Sequence, residues 1–149
     1  MKKLKIGIPK GSLEESTITL FKSAGFEILR HSRSYKPTCD DEELDVLLIR
    51  PQEMAKYIVD GIVDCGLAGY DWILESGLKV KEICELCYSK SSFQPARWVI
   101  AVPMNSPIRK LSDLKGKRIA TELVNVLKRY LTVSYTHLRA HETRHDLVC

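Results

Sequence analysis

The sequence predicts an α/β fold built from parallel βαβ units in two successive lobes. Three observations carry that reading. Short apolar runs alternate with helical periodicities along most of the chain. Several of the runs end at a glycine, proline or charged residue that opens the next helix. The polar stretch Ser89, Lys90, Ser91, Ser92, Phe93, Gln94, Pro95 interrupts the alternation, which then restarts. The length of 149 residues suits one ordinary domain or two small lobes, and 44% apolar with 28% charged residues calls for a packed core rather than disorder.

The elements follow in order. KIGIP (5–9) is an apolar run closed by Pro9. Lys10 and Gly11 make a turn, and Ser12 three residues before Glu15 has the capping-box spacing. Leu13, Thr17, Leu20, Phe21 and Ala24 then recur at helical spacing, with Gly25 as the stop. FEILR (26–30) reads as a strand, and the polar residues 31–43 as a loop. LDVLLIR (44–50) has the continuous apolar character of a strand buried on both faces. Pro51 opens a helix that runs to Val59 and ends near Gly61. VDCGLAG (63–69) is the next strand, YDWILES (70–76) a short helix stopped by Gly77, and VKEICELCY (80–88) another strand. Beyond the polar break, RWVIAVP (97–103) and KRIATE (117–122) read as strands, SDLKG (112–116) as a short helix, and LVNVLKRYL (123–131) as a longer one. The boundaries that result are a first lobe over 1–90, the start of a second over 91–132, and a tail over 133–149.

Composition excludes several classes. The net charge of +4 is spread along the chain, whereas a nucleic-acid-binding face needs clustered cations, so no nucleic-acid partner is expected. The N-terminal apolar run is broken by Pro9 and Lys10 and is too short for a signal-peptide core. No stretch approaches the ~18 apolar residues of a membrane helix. A cytoplasmic protein with no membrane partner is the expectation. Five irregularly spaced cysteines make a poor disulfide framework. Cys84 and Cys87 form a C-x-x-C, but residues three apart on a strand face opposite ways, so they read as ordinary small apolar residues.

Ligands of open α/β sheets sit outside the carboxyl ends of the strands. Three such ends here share a chemistry. IPKGSLEE places Lys10, Gly11 and a serine at a helix start, where free N–H groups and the helix dipole attract anions. LLIRPQEM places Arg50 at a strand end beside a Pro-started helix. CGLAGYDW places Gly66 and Gly69 around a strand end, with Tyr70 and Asp71 at the next helix start. Taken singly these are a capped turn, a surface charge and a helix cap. Together they describe an anion-binding cleft.

LKIGIPKGSLEEST, LLIRPQEMAKYIVDGIVDCGLAGYDWILESG and ARWVIAVPMNSPIRKLSDLKGKRIATELVNVLKRYL resemble, in order and spacing, the N-terminal half of the ATP phosphoribosyltransferase family over about residues 1–132. The resemblance implies the two-lobed class II periplasmic-binding-protein-like fold, here truncated. It implies a glycosyltransferase joining ATP to phosphoribosyl pyrophosphate, with Mg2+ carried by the pyrophosphate substrate, at the first step of histidine biosynthesis. It places Lys10 and Gly11 in the first substrate loop, Arg50 after a strand end and Arg97 in the crossing segment. These cations are implied on phosphate charges, with Gly69, Tyr70 and Asp71 on the nucleotide side. No catalytic residue is implied. The full-length protein is expected to be a homo-oligomer or to work with a regulatory partner subunit. The alternative is a solute-binding or effector-sensing module of the same fold.

After Leu131 the family pattern continues with a Thr-Gly-x-Thr-type phosphate loop and return strands, none of which is found here. TVSYTHLRAHETRHDLVC resembles translated adaptor or vector DNA instead, and catalytic activity of this chain is not expected. Its HETRH, residues 141–145, fits the H-E-x-x-H zinc pattern. His137 lies eight residues from His145, a helical rise of about 12 Å that keeps all three histidines off one metal, and only Asp146 to Cys149 follow. A catalytic zinc site is therefore not expected.

Overall fold

The computed structural model describes residues 3–31, 34–88 and 97–136. The chain divides into two compact units, Met1–Pro95 and Ala96–Cys149.

The first unit is built on a three-stranded parallel sheet in the order β4-β1-β5, from β1 (Leu4–Pro9), β4 (Leu44–Ile49) and β5 (Cys65–Gly66). β1 pairs along its whole length with β4, placing Ile6 opposite Val46, Gly7 opposite Leu47 and Ile8 opposite Leu48. Side chains alternate across a strand, so this register sorts residues onto two faces. On one face Ile8, Val46 and Leu48 pack with Ile28, and Ile6, Ile18 and Phe21 close the cluster beneath α1 (Glu14–Ser23). On the other, Ile49, Met54 and Val63 form a second cluster under α2 (Pro51–Val59). The continuous apolar run of β4 is accounted for by this double burial.

Two glycines set how closely α2 approaches. Gly7 of β1 and Gly66 of β5 are register partners. A Cβ on Gly7 would lie 2.6 Å from the Met54 sulfur, and one on Gly66 2.5 Å from it. Met54, with no solvent exposure, therefore rests on bare backbone. The unbranched thioether suits so narrow a seat.

α1 starts differently from its expected form. Leu13 is the N-cap residue, and no side chain caps the helix. Gly11 has φ +104°, and its N–H donates to the Glu14 carboxylate at 3.2 Å. The Ser12–Glu15 capping box is thus not formed. The fully buried Thr17 donates its hydroxyl to the Leu13 carbonyl (2.7 Å) and lies 2.9 Å from the Tyr88 hydroxyl.

The strand expected over 26–30 is reduced to β2 (Ile28–Leu29). Its antiparallel partner, β3 (Thr38–Cys39), lies within the stretch read as a loop. β5 is shorter than VDCGLAG because it pairs with β1 at only two positions before the chain turns to α3 (Tyr70–Ser76). The strands expected at 80–88, 97–103 and 117–122 are not formed. A strand exists by pairing, and among the described residues these segments have no ladder partner, leaving Ile83 79% and Val99 71% exposed. Cys84 and Cys87 are accordingly free and exposed rather than set on a strand.

In the second unit, the short helix expected over 112–116 is a single 3-10 turn, Leu111–Leu114. The Asp113 carboxylate accepts the Arg109 and Lys110 N–H groups (3.0 and 3.2 Å), and these bonds, Arg109 first, hold its pKa below the ordinary carboxylate value. α4 (Val124–Thr136) begins where expected and runs past residue 132.

The seat of Met54 gives a direct test. Gly66→Ala should lower unfolding stability by about 1–3 kcal/mol through overpacking, and Met54→Ala by about 2–5 kcal/mol through the cavity it leaves. Combining the two should recover part of the Gly66→Ala loss. Urea midpoints measure all three, and an unchanged midpoint for Gly66→Ala would contradict the seating described.

Candidate functional site

β1, β4 and β5 are parallel, so their carboxyl ends lie along one edge of the sheet. Lys10 follows β1, Arg50 follows β4, and Gly69, Tyr70 and Asp71 follow β5 after a three-residue step from Gly66. The Lys10 N–H donates to the Ile49 carbonyl (2.8 Å), which ties the start of the Lys10 turn to the residue before Arg50. Arg50 is the N-cap residue of α2, extended at ψ 138°, and Pro51 takes the first helical position, where its missing N–H costs nothing.

The Lys10 ammonium stands 4.0 Å from the centroid of the Tyr35 ring. Tyr35 belongs to the stretch read as a polar loop, and sequence reading assigned it no role. Its carbonyl accepts the Leu48 N–H of β4 (2.8 Å), which holds the loop against the sheet. Hydrogen bonding and then charge from Lys10 lower the Tyr35 pKa from its ordinary value, and Arg50 adds to the effect. The ring thus stands beside the Lys10 ammonium, within the field of both cations. No spacing rule links residue 35 to residues 10 and 50; the backbone bond to Leu48 does.

The head of α1 differs from the open anion seat expected there. The Gly11 N–H is already turned to the Glu14 carboxylate. Glu14 is buried, and its Oε1 faces Arg30 Nε at 3.0 Å as an ion pair, without an aligned hydrogen bond. Positive charge is left on the side chains of the half-buried Lys10 and the exposed Arg50 rather than on this turn's backbone.

Asp71 sits in the first turn of α3 and its Oδ1 accepts the Trp72 N–H at 2.9 Å. A Cβ on Gly69 would collide with that same oxygen, so glycine leaves room for the carboxylate to fold back on its own helix start. Tyr70 is 63% exposed. Arg97 is exposed and belongs to the second unit. Among the described residues no three His, Cys, Asp or Glu side chains gather as metal ligands, and HETRH lies outside those residues. Burial pushes the Cys65 and Cys39 thiols up, away from the reactive thiolate.

A family model described as HisG, ATP phosphoribosyltransferase, matches residues 50–144. The chain belongs to the ATP phosphoribosyltransferase family. It is 57% identical over 130 residues to the ATP phosphoribosyltransferase of Thermodesulfovibrio yellowstonii, covering 87% of this chain and 44% of that protein. Against the ATP phosphoribosyltransferase of Chlorobium phaeovibrioides it is 57% identical over 128 residues, 86% of this chain and 44% of the relative. The chain thus spans less than half the length of these curated relatives. Among solved structures, the ATP phosphoribosyl transferase (HisG:HisZ) complex from Thermotoga maritima matches with a TM-score of 0.66 and 30% identity, over 88% of this chain and 59% of that one.

The match to ATP phosphoribosyltransferases supports the periplasmic-binding-protein-like α/β fold and decides for the transferase family over the binding-module alternative. The family model runs on to residue 144, into the tail read as foreign to the family. It includes Arg50, Gly69, Tyr70, Asp71 and Arg97, while Lys10, Gly11 and Tyr35 precede its first residue. No described helix of this family member is long and apolar enough to cross a membrane.

The environment of Tyr35 is open to spectroscopy. In an alkaline titration followed at the tyrosinate band, one of the six tyrosines should ionise below the ordinary value of about 10. Tyr35→Phe should delete that component, and Lys10→Met should move it up. An unchanged titration in Lys10→Met would mean that the ammonium does not act on the phenol.

Proposed function

We propose that the whole protein to which this chain belongs transfers the phosphoribosyl group of phosphoribosyl pyrophosphate to N1 of ATP, giving N1-(5-phosphoribosyl)-ATP and pyrophosphate, the first step of histidine biosynthesis. Family membership supports the reaction, and the pair of cations at one sheet edge is the structural observation that carries it.

In this reaction the adenine N1 lone pair forms a bond to the anomeric carbon while the bond from that carbon to the pyrophosphate oxygen breaks. Positive charge builds on the ribose and negative charge on the leaving group. Neither change needs a protein nucleophile, so placing the reactants and offsetting charge do most of the work. Lys10 and Arg50 would hold phosphate oxygens, each with a charge that strengthens the hydrogen bond. Gly69, Tyr70 and Asp71 would border the nucleotide, and Arg97 would bind phosphate.

Magnesium prefers one or two carboxylates together with substrate phosphates. The cationic edge around Lys10 and Arg50 is not such a cage, so Mg2+ would arrive on the pyrophosphate group. The Thermotoga maritima neighbour is named as a HisG:HisZ complex. A regulatory partner subunit, or assembly of like copies, is proposed for the full-length protein here, in a cytoplasmic setting.

The described residues supply charge for phosphates but no loop placed to fix the ribose. Lost orientation of that kind forfeits up to ~7–11 kcal/mol of barrier lowering. Pyrophosphate release from ATP, phosphoribosyl pyrophosphate and Mg2+ is the assay. The 149-residue chain should show no turnover, and a chain extended to the relatives' full length should turn over. Lys10→Ala or Arg50→Ala in the extended chain should lower kcat/KM by about 10- to 1,000-fold. Equal turnover by short and extended chains would refute the need for the further length.

A further inference from the structure

We infer that Tyr35 is a positioning residue of the phosphate-binding edge, carrying the Lys10 ammonium on its ring and offering its exposed hydroxyl to an oxygen of a di- or triphosphate. The inference rests on the reading of that edge as phosphate-binding.

Two like charges at one sheet edge repel, and long side chains free in solvent would spread apart. The Lys10 ammonium instead stands 4.0 Å from the Tyr35 ring centroid, where the negative face of the ring attracts it. The backbone that carries the ring is held here, because the Tyr35 carbonyl is bonded to the Leu48 N–H, two residues before Arg50. One strand thus fixes both the platform for Lys10 and the base of Arg50. The charged groups acting on the phenol are Lys10, at the end of β1, and Arg50, at the head of α2. Lys36, next in the loop, is turned to Asp45 at 3.8 Å. Tyr35 is 52% exposed, so a ligand reaches it without rearrangement of the core.

The protonation state decides what the hydroxyl does. As a neutral phenol it donates a hydrogen bond to a phosphate oxygen and leaves both cations to the ligand. As a phenolate it loses the donor and becomes an anion that competes for the same two cations. The cations lower its pKa, so the change falls below the ordinary tyrosine range. Anion affinity should therefore fall as the phenol ionises.

The test uses inorganic pyrophosphate and the 149-residue chain, with binding followed by calorimetry from pH 7 to pH 10. At neutral pH Tyr35→Phe should weaken binding about 3- to 10-fold, and Tyr35→Ala, which also removes the ring, by more than about 10-fold. Wild-type affinity should fall as pH rises through the tyrosine ionisation, whereas Tyr35→Phe should lack that fall. The Tyr35→Phe profile separates positioning from folding, because that variant keeps the ring and the backbone bond. If Lys10→Ala and Arg50→Ala weaken binding while both Tyr35 variants match wild type in affinity and pH profile, the inference is overturned and the phosphate edge stands. If Lys10→Ala and Arg50→Ala leave binding unchanged, the phosphate edge itself is overturned.

Discussion

Contact of the Met54 sulfur with the paired glycines of β1 and β5 is the constraint on which the first unit depends. A sheet normally presents a layer of side chains to the helix above it. Here Gly7 and Gly66, opposite one another in the ladder, leave a gap in that layer, and the buried thioether fills it. The fit fixes the depth of α2, and α2 starts at Pro51, one residue after Arg50. Because Lys10 is bonded through its N–H to Ile49, the same seat governs the ends of both long strands. The position of a charged edge thus traces back to two absent side chains.

That edge owes its electrostatic character to side chains more than to helix dipoles. At the head of α1 the protein supplies its own carboxylate: Glu14 takes the Gly11 N–H and is paired in turn with Arg30. At the head of α3, Asp71 takes the Trp72 N–H. An acidic side chain thus stands in the first turn of each of these two helices, as the dipole favours. Arg50 at the head of α2 is the exception, since a cation there gains nothing from the dipole. It is turned outward, and with Lys10 it gives the edge a positive charge that polyphosphate complements.

The sequence made the helices and the long parallel strands legible because each is specified locally. Pro51 and Gly61 delimit α2, Gly77 ends α3 in a left-handed turn at φ +63°, and the apolar run of β4 shows its two-sided burial. Segments that depend on a partner were not legible. The runs at 80–88 and 97–103 have β-prone residues, but propensity reports fit to a paired, half-buried surface, and these segments have no such surface among the described residues. β3 lay hidden in a polar stretch because two residues are too few to display a period. The candidate ligand residues Lys10, Arg50 and Asp71 stood out by following strand ends, whereas Tyr35 reaches the same edge only through a backbone bond to β4. The expected capping box failed for a similar reason: the turn at Gly11, with its positive φ, moves the N-cap on to Leu13.

The bond between the Tyr35 carbonyl and the Leu48 amide has a consequence for self-association. Among the described strands β4 lies outermost on its side, and the free amides of an outermost strand are a template on which another chain can add. The Tyr35 segment occupies part of that border and takes up one of its donors, as an added strand would. A loop serving in this way cannot swing clear without uncovering an adhesive rim. Keeping the phenol in place and keeping copies of the chain apart therefore make the same demand on one short piece of backbone.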